Sequence, residues 1–320
     1  RGAVDNNWVK YGKYTKDTFL TIDNNDNTSL VESCNGLDNC LKIASKGDDM
    51  YWRIIRVNGD NSIRMIYAGT SAPDNNTKVV MTESANNSGY IRATSAGMSK
   101  FNQKRDSAEY VGYKYTIGEQ HGTSQSSGIK TYLDNWYANY TNLNSTGTKI
   151  TDQIYCNDRT ASTSEVAYST TNYTTLTSWN STGTTYYYGA YGRIVKDNNP
   201  MLTCAVDSDR FTVNKINSKG NGTLTYPVGL ITADEVAMAG GKFGSSNENS
   251  SYYLYTNQYY WAGSSSICNG SSSIDLVVGD DGSLGSGRIA VNRGVRGVVS
   301  LSSDAKLLGN GTYNDVYTVS

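Results

Sequence analysis

Few side chains in this sequence have the types and spacing that catalysis requires. His121 is the single histidine, and its Gly-flanked setting, GEQHG, is typical of a structural or surface residue. No serine-nucleophile elbow, zinc-protease helix, phosphate-binding loop or dinucleotide fingerprint occurs. Cys268 stands alone in ICNG, and we interpret it as an incidental free cysteine. The sequence therefore predicts a protein that is not an enzyme and that needs no cofactor.

Metal binding is also disfavoured by the pattern of ligand types. Zinc sites use clustered cysteines and histidines, whereas this chain has no CxxC and one histidine. Two Asp-rich loops, Asp23–Asp26 and Asp280–Asp281, supply the oxygens that Ca²⁺ prefers, yet neither has the spacing of an EF-hand. We interpret both loops as solvated turns, and the sequence leaves open whether either binds Ca²⁺.

The five cysteines suggest a partial disulfide framework. Cys34 and Cys40 are close together in SCNGLDNC, which favours a small disulfide loop. Cys156 and Cys204 are candidates for a second bridge, which would leave Cys268 unpaired. Disulfides are typical of proteins in oxidising compartments, so this pattern points outside the cytosol.

Charge and composition exclude several partners. The chain has 28 Lys and Arg against 29 Asp and Glu, so it lacks the basic footprint of a protein that binds nucleic acid or an acidic membrane surface. No apolar run approaches the ~18 residues of a membrane span. The sequence opens on Arg1, so we expect membrane attachment only through an anchor absent from this chain.

The side chains that favour binding are concentrated near the C-terminus. Tyrosine (26) far outnumbers phenylalanine (4), and Tyr, Ser, Gly and Asn surfaces anchored by Trp and Arg are how antibody loops bind diverse targets. Trp261 itself is interpreted as core. The candidate ligand-binding residues are Tyr255, Asn257, Tyr259, Tyr260, Ser265, Asn269, Ser271, Asp275, Asp281, Ser286, Arg288, Asn292 and Arg293.

Several elements are predicted to support these residues. MYWRIIRV (50–57) and SIRMIYAG (62–69) flank the turn NGDN and form a hairpin. SGIKTYLDNWYANY has apolar residues at three- and four-residue steps, which predicts a helix covering a sheet. Residues 228–231 predict a short strand, and Thr232 with Glu235 predicts a capping box for a helix over 233–239.

The C-terminal part predicts short strands joined by tight turns. Ile274, Leu276 and Val278 alternate with polar residues, GDDG (279–282) turns the chain, and Leu284 begins the return. GVRGVVSLS predicts a core strand, and residues 157–192 predict loops or short strands. We expect an α+β fold with an N-terminal extension over 1–49 and one domain over 50–320.

Seven blocks of the sequence resemble a family of Gram-positive bacterial surface proteins. They run in family order from about residue 50 to the C-terminus and are YWRIIRVNGDNSIRMIYAG, AEYVGYKYTIGEQHG, IKTYLDNWYANY, IYCNDRT, LTYPVGLITADEVAMAGG, SYYLYTNQYYW and GVRGVVSLSSDAKLLGNGTYNDVYTV. Family members commonly read YW-T-x-SP and GVRP. This chain has Ala262, Ser265 and Gly297 where the family has the threonine and the two prolines.

The resemblance implies a C-type-lectin-like fold of the formylglycine-generating-enzyme type, which variable proteins of diversity-generating retroelements also use. It implies an extracellular, cell-surface protein with a diversified recognition region over 259–296, which binds a protein or glycan ligand, as in adhesion. Between Ala262 and Arg293 many residue types can arise from asparagine-like codons when adenines change. The alternative is a structural subunit that self-associates into a pilin-like fibre.

Overall fold

The structure is a computed structural model, and it describes residues 4–37, 39–72, 81–82, 91–92, 94–164, 185–215, 220–248, 252–269 and 272–320. Within these residues the chain is mostly β-sheet, with a few short helices and long connections. The predicted mixture of α and β elements is therefore confirmed at this coarse level. The loops or short strands predicted over 157–192 fall partly on residues 165–184, which lie outside the described residues.

Most strands are short, and the strands predicted over 50–57, 62–69 and 274–278, from Leu284, and in GVRGVVSLS are among them. In chain order they are β1 Trp8–Lys13, β2 Thr18–Ile22, β3 Thr28–Val31, β4 Cys40–Ala44, β5 Asp49–Val57, β6 Ile63–Gly69, β7 Met81–Thr82, β8 Ile91–Arg92, β9 Met98–Ser99, β10 Lys114–Tyr115, β11 Gln125–Ser126, β12 Ile150–Thr151, β13 Tyr155–Cys156, β14 Tyr186–Tyr187, β15 Arg210–Phe211, β16 Tyr260–Cys268, β17 Ser273–Val278, β18 Leu284–Arg288, β19 Arg293–Gly294, β20 Val298–Leu301, β21 Leu307–Leu308 and β22 Tyr317–Val319.

The helices cover the sheets rather than forming a layer of their own. They are α1 Gly128–Asn135, α2 Gly189–Tyr191 and α3 Ala233–Met238. Among the described residues, 3₁₀ turns occur at Ala108–Val111 and Asp207–Asp209, and π-helical turns continue α1 over Trp136–Tyr140 and α2 over Gly192–Lys196.

A seven-stranded sheet joins the two ends of the chain. Its order is β12-β20-β6-β5-β1-β22-β21, with β1 parallel to β22 through Val9 and Tyr317. The hairpin predicted over 50–69 is confirmed as β5 and β6, and the core strand predicted near the C-terminus is β20. Strands from the start and from the end of the sequence therefore lie side by side in this sheet, β1 beside β22 and β6 beside β20.

The segment predicted as an N-terminal extension contributes to this core. β1 pairs with both β5 and β22, and β2, β3 and β4 form a small antiparallel sheet. Leu20, Ile22 and Leu30 are buried in the main hydrophobic cluster. Buried residues alternate with less buried ones along β2, so one face of this small sheet packs inward and fixes the segment to the body.

The predicted helix over 128–140 is confirmed, and it is anchored by aromatic side chains. Ser127 caps α1 by accepting from the backbone N–H of Lys130. Trp136 donates from Nε1 to the hydroxyl of Tyr14 at 3.1 Å, and that hydroxyl lies 2.9 Å from the hydroxyl of Tyr67. The Trp136 ring also packs edge-on against Tyr67 and near Trp52. These rings fasten the helix to the seven-stranded sheet.

Gly297 is the residue that lets Trp136 approach the sheet. A Cβ at position 297 would lie 2.5 Å from Cζ3 of Trp136, which is closer than any normal contact. A larger residue at position 297 would therefore displace the indole.

The capping box predicted for the third helix is confirmed. Thr232 accepts from the backbone N–H of Glu235, and the Glu235 carboxylate accepts from the backbone N–H of Thr232 at 2.9 Å. The preceding segment, 228–231, forms one antiparallel bridge between Gly229 and Val298 rather than a regular strand. The strand predicted there is thus shorter than expected.

Candidate functional site

The C-terminal candidate residues lie on a six-stranded sheet whose order is β18-β17-β16-β19-β9, with β14 also paired to β16. β16, β17 and β18 form an antiparallel meander, as the alternation and the GDDG turn predicted. Trp261 is fully buried and donates from Nε1 to the carbonyl of Ser99 at 2.7 Å, which confirms it as core. The sheet therefore provides a rigid frame beneath its exposed side chains.

Four of the predicted binding residues are buried and do not reach the outer surface: Tyr260, Ser265, Asp275 and Asn292. Tyr260 donates to the carbonyl of Leu254 at 2.8 Å, and Asn292 donates to the carbonyl of Asp26 at 2.8 Å. Their polar types suggested exposure, but their strands are covered on both sides. β17 is flanked by β16 and β18 and packs against α3 and the turn Ala108–Val111. Position 271 lies outside the described residues.

Asp275 is the most unusual of these buried residues. Its side chain has no exposure, and neither carboxylate oxygen has a hydrogen-bond partner among the described residues. Ser265, which is opposite Asp275 in the strand register, also has a buried hydroxyl without such a partner. Because burial disfavours the charged form, the pKa of Asp275 is raised well above its ordinary value.

The exposed and half-buried candidates form two groups at opposite ends of the meander of β16, β17 and β18. The first group surrounds Tyr259, whose ring is 40% exposed and lies 4.8 Å from the guanidinium carbon of Arg293. Burial and the neighbouring Asp280 raise the pKa of Tyr259. Tyr255 and Asp281 are half-buried, and Asn257 is exposed with a positive φ.

The second group follows the outer strand of the meander. Ser286 and Arg288 are exposed on β18, and Asn269 is exposed in the turn between β16 and β17. Leu284 pairs with Val278 and Arg288 pairs with Ile274, so the two ends of β18 are about 13 Å apart. We name the exposed and half-buried candidates the outer rim: Tyr255, Asn257, Tyr259, Asn269, Asp281, Ser286, Arg288 and Arg293.

The Asp-rich loops are held by their own hydrogen bonds. Asp23 accepts from the backbone N–H groups of Asn25 and Asn27 at 2.8 Å each, and Asp281 accepts from Ser283 at 2.9 Å. Across the described ranges, no group of three His, Cys, Asp or Glu side chains is arranged to hold a metal ion. These geometries are those of closed turns.

His121 has the structural setting that its sequence context indicated. Its Nδ1 lies 3.0 Å from Asp209, whose other oxygen accepts from Nε and Nη2 of the fully buried Arg159 at 2.9 and 2.6 Å. Arg159 also donates to the carbonyls of Lys114 and Gly122. This ion pair ties the 114–122 segment to β15 and its preceding turn.

Both predicted disulfides are confirmed, at Cys34–Cys40 and Cys156–Cys204, and Cys268 is free and 2% exposed. The longer bridge joins β13 to the segment before β15. No helix in the described part of the chain is long and apolar enough to cross a bilayer. The disulfides fit an extracellular or secreted protein.

A cleft of about 900 Å³ lies elsewhere on the molecule, and it was not anticipated from the sequence. The residues described along it include four arginines and five carboxylates, and the Cys156–Cys204 bridge forms part of one wall. These residues come from β5, β6 and the turn between them, from the segment 151–158, from the segment 193–210, from the start of α3 and from β16, so no short motif unites them. The only local sequence signal was the capping-box Glu235.

Two ion clusters form the floor of this cleft. Glu235 accepts from Nε of Arg56 at 3.0 Å, and Nε of Arg64 makes a close ion-pair contact with the same oxygen at 2.6 Å. Although burial opposes it, these two arginines hold the pKa of Glu235 below its ordinary value. Arg193 bridges Asp158 at 2.7 Å and Asp234 at 3.1 Å. The floor is therefore charged, internally paired and rigid.

Comparisons with known proteins leave the chain without an assigned relative. No family model, no curated protein and no solved structure matches it.

Proposed function

We propose that this chain is an extracellular, non-enzymatic ligand-binding protein of a bacterial surface, with a C-type-lectin-like fold and a recognition surface at the outer rim. The observation that carries the proposal is the arrangement of β16, β17 and β18. Their inward side chains form a closed core, while Tyr259, Ser286 and Arg288 remain exposed on the same frame. Exposed side chains such as Tyr259 and Arg288 are thus replaceable at little cost to the fold.

The chemistry of the outer rim suits a protein ligand or a glycan. Tyr259 has a large face with few rotatable bonds, and Arg293 lies over that face. Arg288 offers a planar guanidinium for carboxylates. We favour a protein ligand, because the geometry holds no Ca²⁺-type ligand cluster among the described residues.

A diversified recognition region is part of the same proposal. Ser286 and Arg288 alternate with the less exposed Gly285 and Gly287, which gives replaceable positions beside constrained ones. The buried Ser265, Asp275 and Asn292 would be excluded from free variation by their packing. Sequencing the gene's surroundings tests this point, and a locus without a near-identical template repeat would exclude the retroelement origin.

A binding screen tests the recognition surface directly. The intact chain would be screened against bacterial and host surface proteins and a glycan array, and compared with a Tyr259→Ala/Arg288→Ala variant. The matched control is Tyr313→Ala/Lys46→Ala, because Tyr313 is exposed to a similar extent (38%) and the charge change is equal. We expect at least a ten-fold loss of affinity for the rim variant only. Equal binding by all three proteins would place the ligand elsewhere.

A fibre-forming structural subunit is the second candidate, and one observation favours it. β18 has a strand partner on one side only within the described residues, so the backbone of 285–288 forms an open sheet edge. Strand addition at such an edge builds polymers. Electron microscopy of the native cell surface decides between the two, since filaments built from this chain would favour the fibre.

A further inference from the structure

The cleft lined by β5, β13 and α3 has the features of a second binding site, separate from the outer rim. Its volume of about 900 Å³ falls within the range of ligand pockets, and its lining combines charged floor residues with an apolar rim. The question is which ligand chemistry its free hydrogen-bonding groups would accept.

The carboxylates of the cleft are already occupied by protein donors. Asp152 accepts from the backbone N–H groups of Val213 and Asn214 at 3.0 and 2.8 Å, one on each oxygen. The same occupation of both oxygens is seen for Asp60, Asp158, Asp234 and Glu235. An incoming cation would have to compete with these bonds, so the acidic side chains do not define the ligand.

The arginines, by contrast, retain donors. A guanidinium has five N–H groups. Arg56 uses Nε on Glu235 and Nη1 on Asn58, and Arg210 uses three of its groups on Cys204 and Asp207. Both side chains are 29% exposed at the cleft. Exposed N–H groups of Arg56 and Arg210 therefore remain at the cleft, and such donors suit carboxylates and carbonyls.

The apolar part of the lining distinguishes between the classes of acidic ligand. Met201 and Leu202 are 40% and 49% exposed at the cleft. No aromatic ring lines the cleft among the residues that the structure describes, so a sugar would find no flat apolar platform. Branched and linear apolar side chains beside free arginine donors match a peptide that has both leucine-like and acidic residues.

We propose that this cleft binds a short acidic peptide segment, with its carboxylate on Arg56 and an apolar side chain against Leu202. Arg210 supplies a second donor for a backbone carbonyl or a further carboxylate. The paired floor around Glu235 and Asp234 holds these groups in place, so the site needs little rearrangement on binding. This site does not depend on the recognition surface proposed above.

Fluorescence anisotropy of the intact chain tests the proposal with two probes. One is a labelled hexapeptide with blocked ends, two glutamates and two leucines; the other has glutamines in place of the glutamates. We expect the acidic probe to bind at least ten-fold more tightly, with an affinity that falls as salt rises. Equal binding of the two probes would overturn the proposal. No detectable binding of the acidic probe at 1 mM would also overturn it.

Two variants and their matched controls locate the binding. Arg56→Gln removes the N–H donors of Arg56 from the cleft, while Arg64 still pairs with Glu235. Its control is Arg105→Gln at an exposed position. Leu202→Glu places a negative charge at the cleft without disturbing the core, and its control is Leu308→Glu at another exposed leucine. We expect at least ten-fold weaker binding for the two cleft variants and unchanged binding for the controls.

The outcomes separate this site from the alternatives. If Arg56→Gln does not fold, Leu202→Glu alone decides, and binding equal to that of Leu308→Glu would overturn the proposal. A uronic-acid oligosaccharide that binds in an Arg56-dependent way, where the peptide does not, would overturn the peptide assignment. Tyr259→Ala should leave peptide binding unchanged, so failure at the cleft and failure at the outer rim are distinguishable.

Discussion

At the scale of single residues, Asp275 shows how the middle of the sheet constrains the C-terminal segment. Its carboxyl group is fully buried and unpartnered among the described residues, and burial raises its pKa well above the ordinary value. A buried polar group without a hydrogen bond destabilises a protein by about 1–3 kcal/mol. A polar side chain such as Asp275 is chemically suited to recognition, but it lowers the stability of the fold when its strand is covered.

We predict that Asp275→Asn removes a pH dependence from the free energy of unfolding. At low pH the carboxyl is protonated in both states. As pH rises above its unfolded pKa of 3.8, the unfolded state ionises first, so stability falls until the folded pKa is passed. The slope approaches about 1.4 kcal/mol per pH unit. Denaturant unfolding at pH 4, 5, 6 and 7 measures it, and wild type should lose stability across this window relative to the variant.

Asp281→Asn is the control with the opposite sign. Hydrogen bonds from Ser283 lower the pKa of Asp281, so its contribution is present at neutral pH and lost as pH falls through the folded pKa. Parallel pH profiles for wild type and Asp275→Asn would show that Asp275 finds a partner in solution and contradict the expected effect.

At the scale of elements, the contact between α1 and the last core strand depends on the missing side chain at Gly297. Gly297 precedes β20, and the Trp136 ring occupies the space that a Cβ would need. The same indole joins α1 to Tyr14 and Tyr67. Helix, sheet and loop meet at this one point, so their packing is coupled.

We predict that Gly297→Ala lowers the free energy of unfolding by about 1–3 kcal/mol, because the added methyl forces Trp136 to move. Equilibrium unfolding followed by tryptophan fluorescence measures both the stability and the displaced ring. Gly285→Ala is the matched control, since its Cβ would meet Val277 at 3.7 Å, an ordinary contact. Equal stability of the two variants would show that the indole has room to shift.

Elements with local periodicity were predictable, whereas their environments were not. The hairpin β5–β6, helix α1 and the capping box at Thr232 follow from spacing within a few residues. The burial of Asp275 and Asn292 depends on distant segments that cover them, and the Gly297–Trp136 contact joins residues 161 positions apart (297 − 136). The cleft likewise combines five separate segments of the chain. Sequence patterns report one element at a time, so sites built between elements are missed.

At the scale of the whole molecule, the disulfides and the pairing of β1 with β22 hold distant parts of the chain together. The bridge Cys156–Cys204 spans 48 positions, and Cys34–Cys40 spans 6. A cross-link restricts the unfolded chain more when the loop that it closes is longer. The two bridges should therefore differ in their effect on stability.

We predict that Cys156→Ser/Cys204→Ser lowers the free energy of unfolding by roughly 4 kcal/mol, and Cys34→Ser/Cys40→Ser by roughly 2 kcal/mol, from loop-closure entropy. Urea unfolding of the two double variants measures the difference, and each serves as the other's control. A larger loss for Cys34→Ser/Cys40→Ser would contradict the loop-length account and point to a specific role for the small loop between β3 and β4.

The buried thiol of Cys268 is a natural probe of local opening in this molecule. It lies at the end of β16, paired with Ser273 on β17 and with Tyr186 on β14, and it is 2% exposed. An alkylating reagent can modify it only after that end of the meander separates. The labelling rate in native buffer therefore reports how often the end of β16 separates from its neighbouring strands, without any engineered reporter.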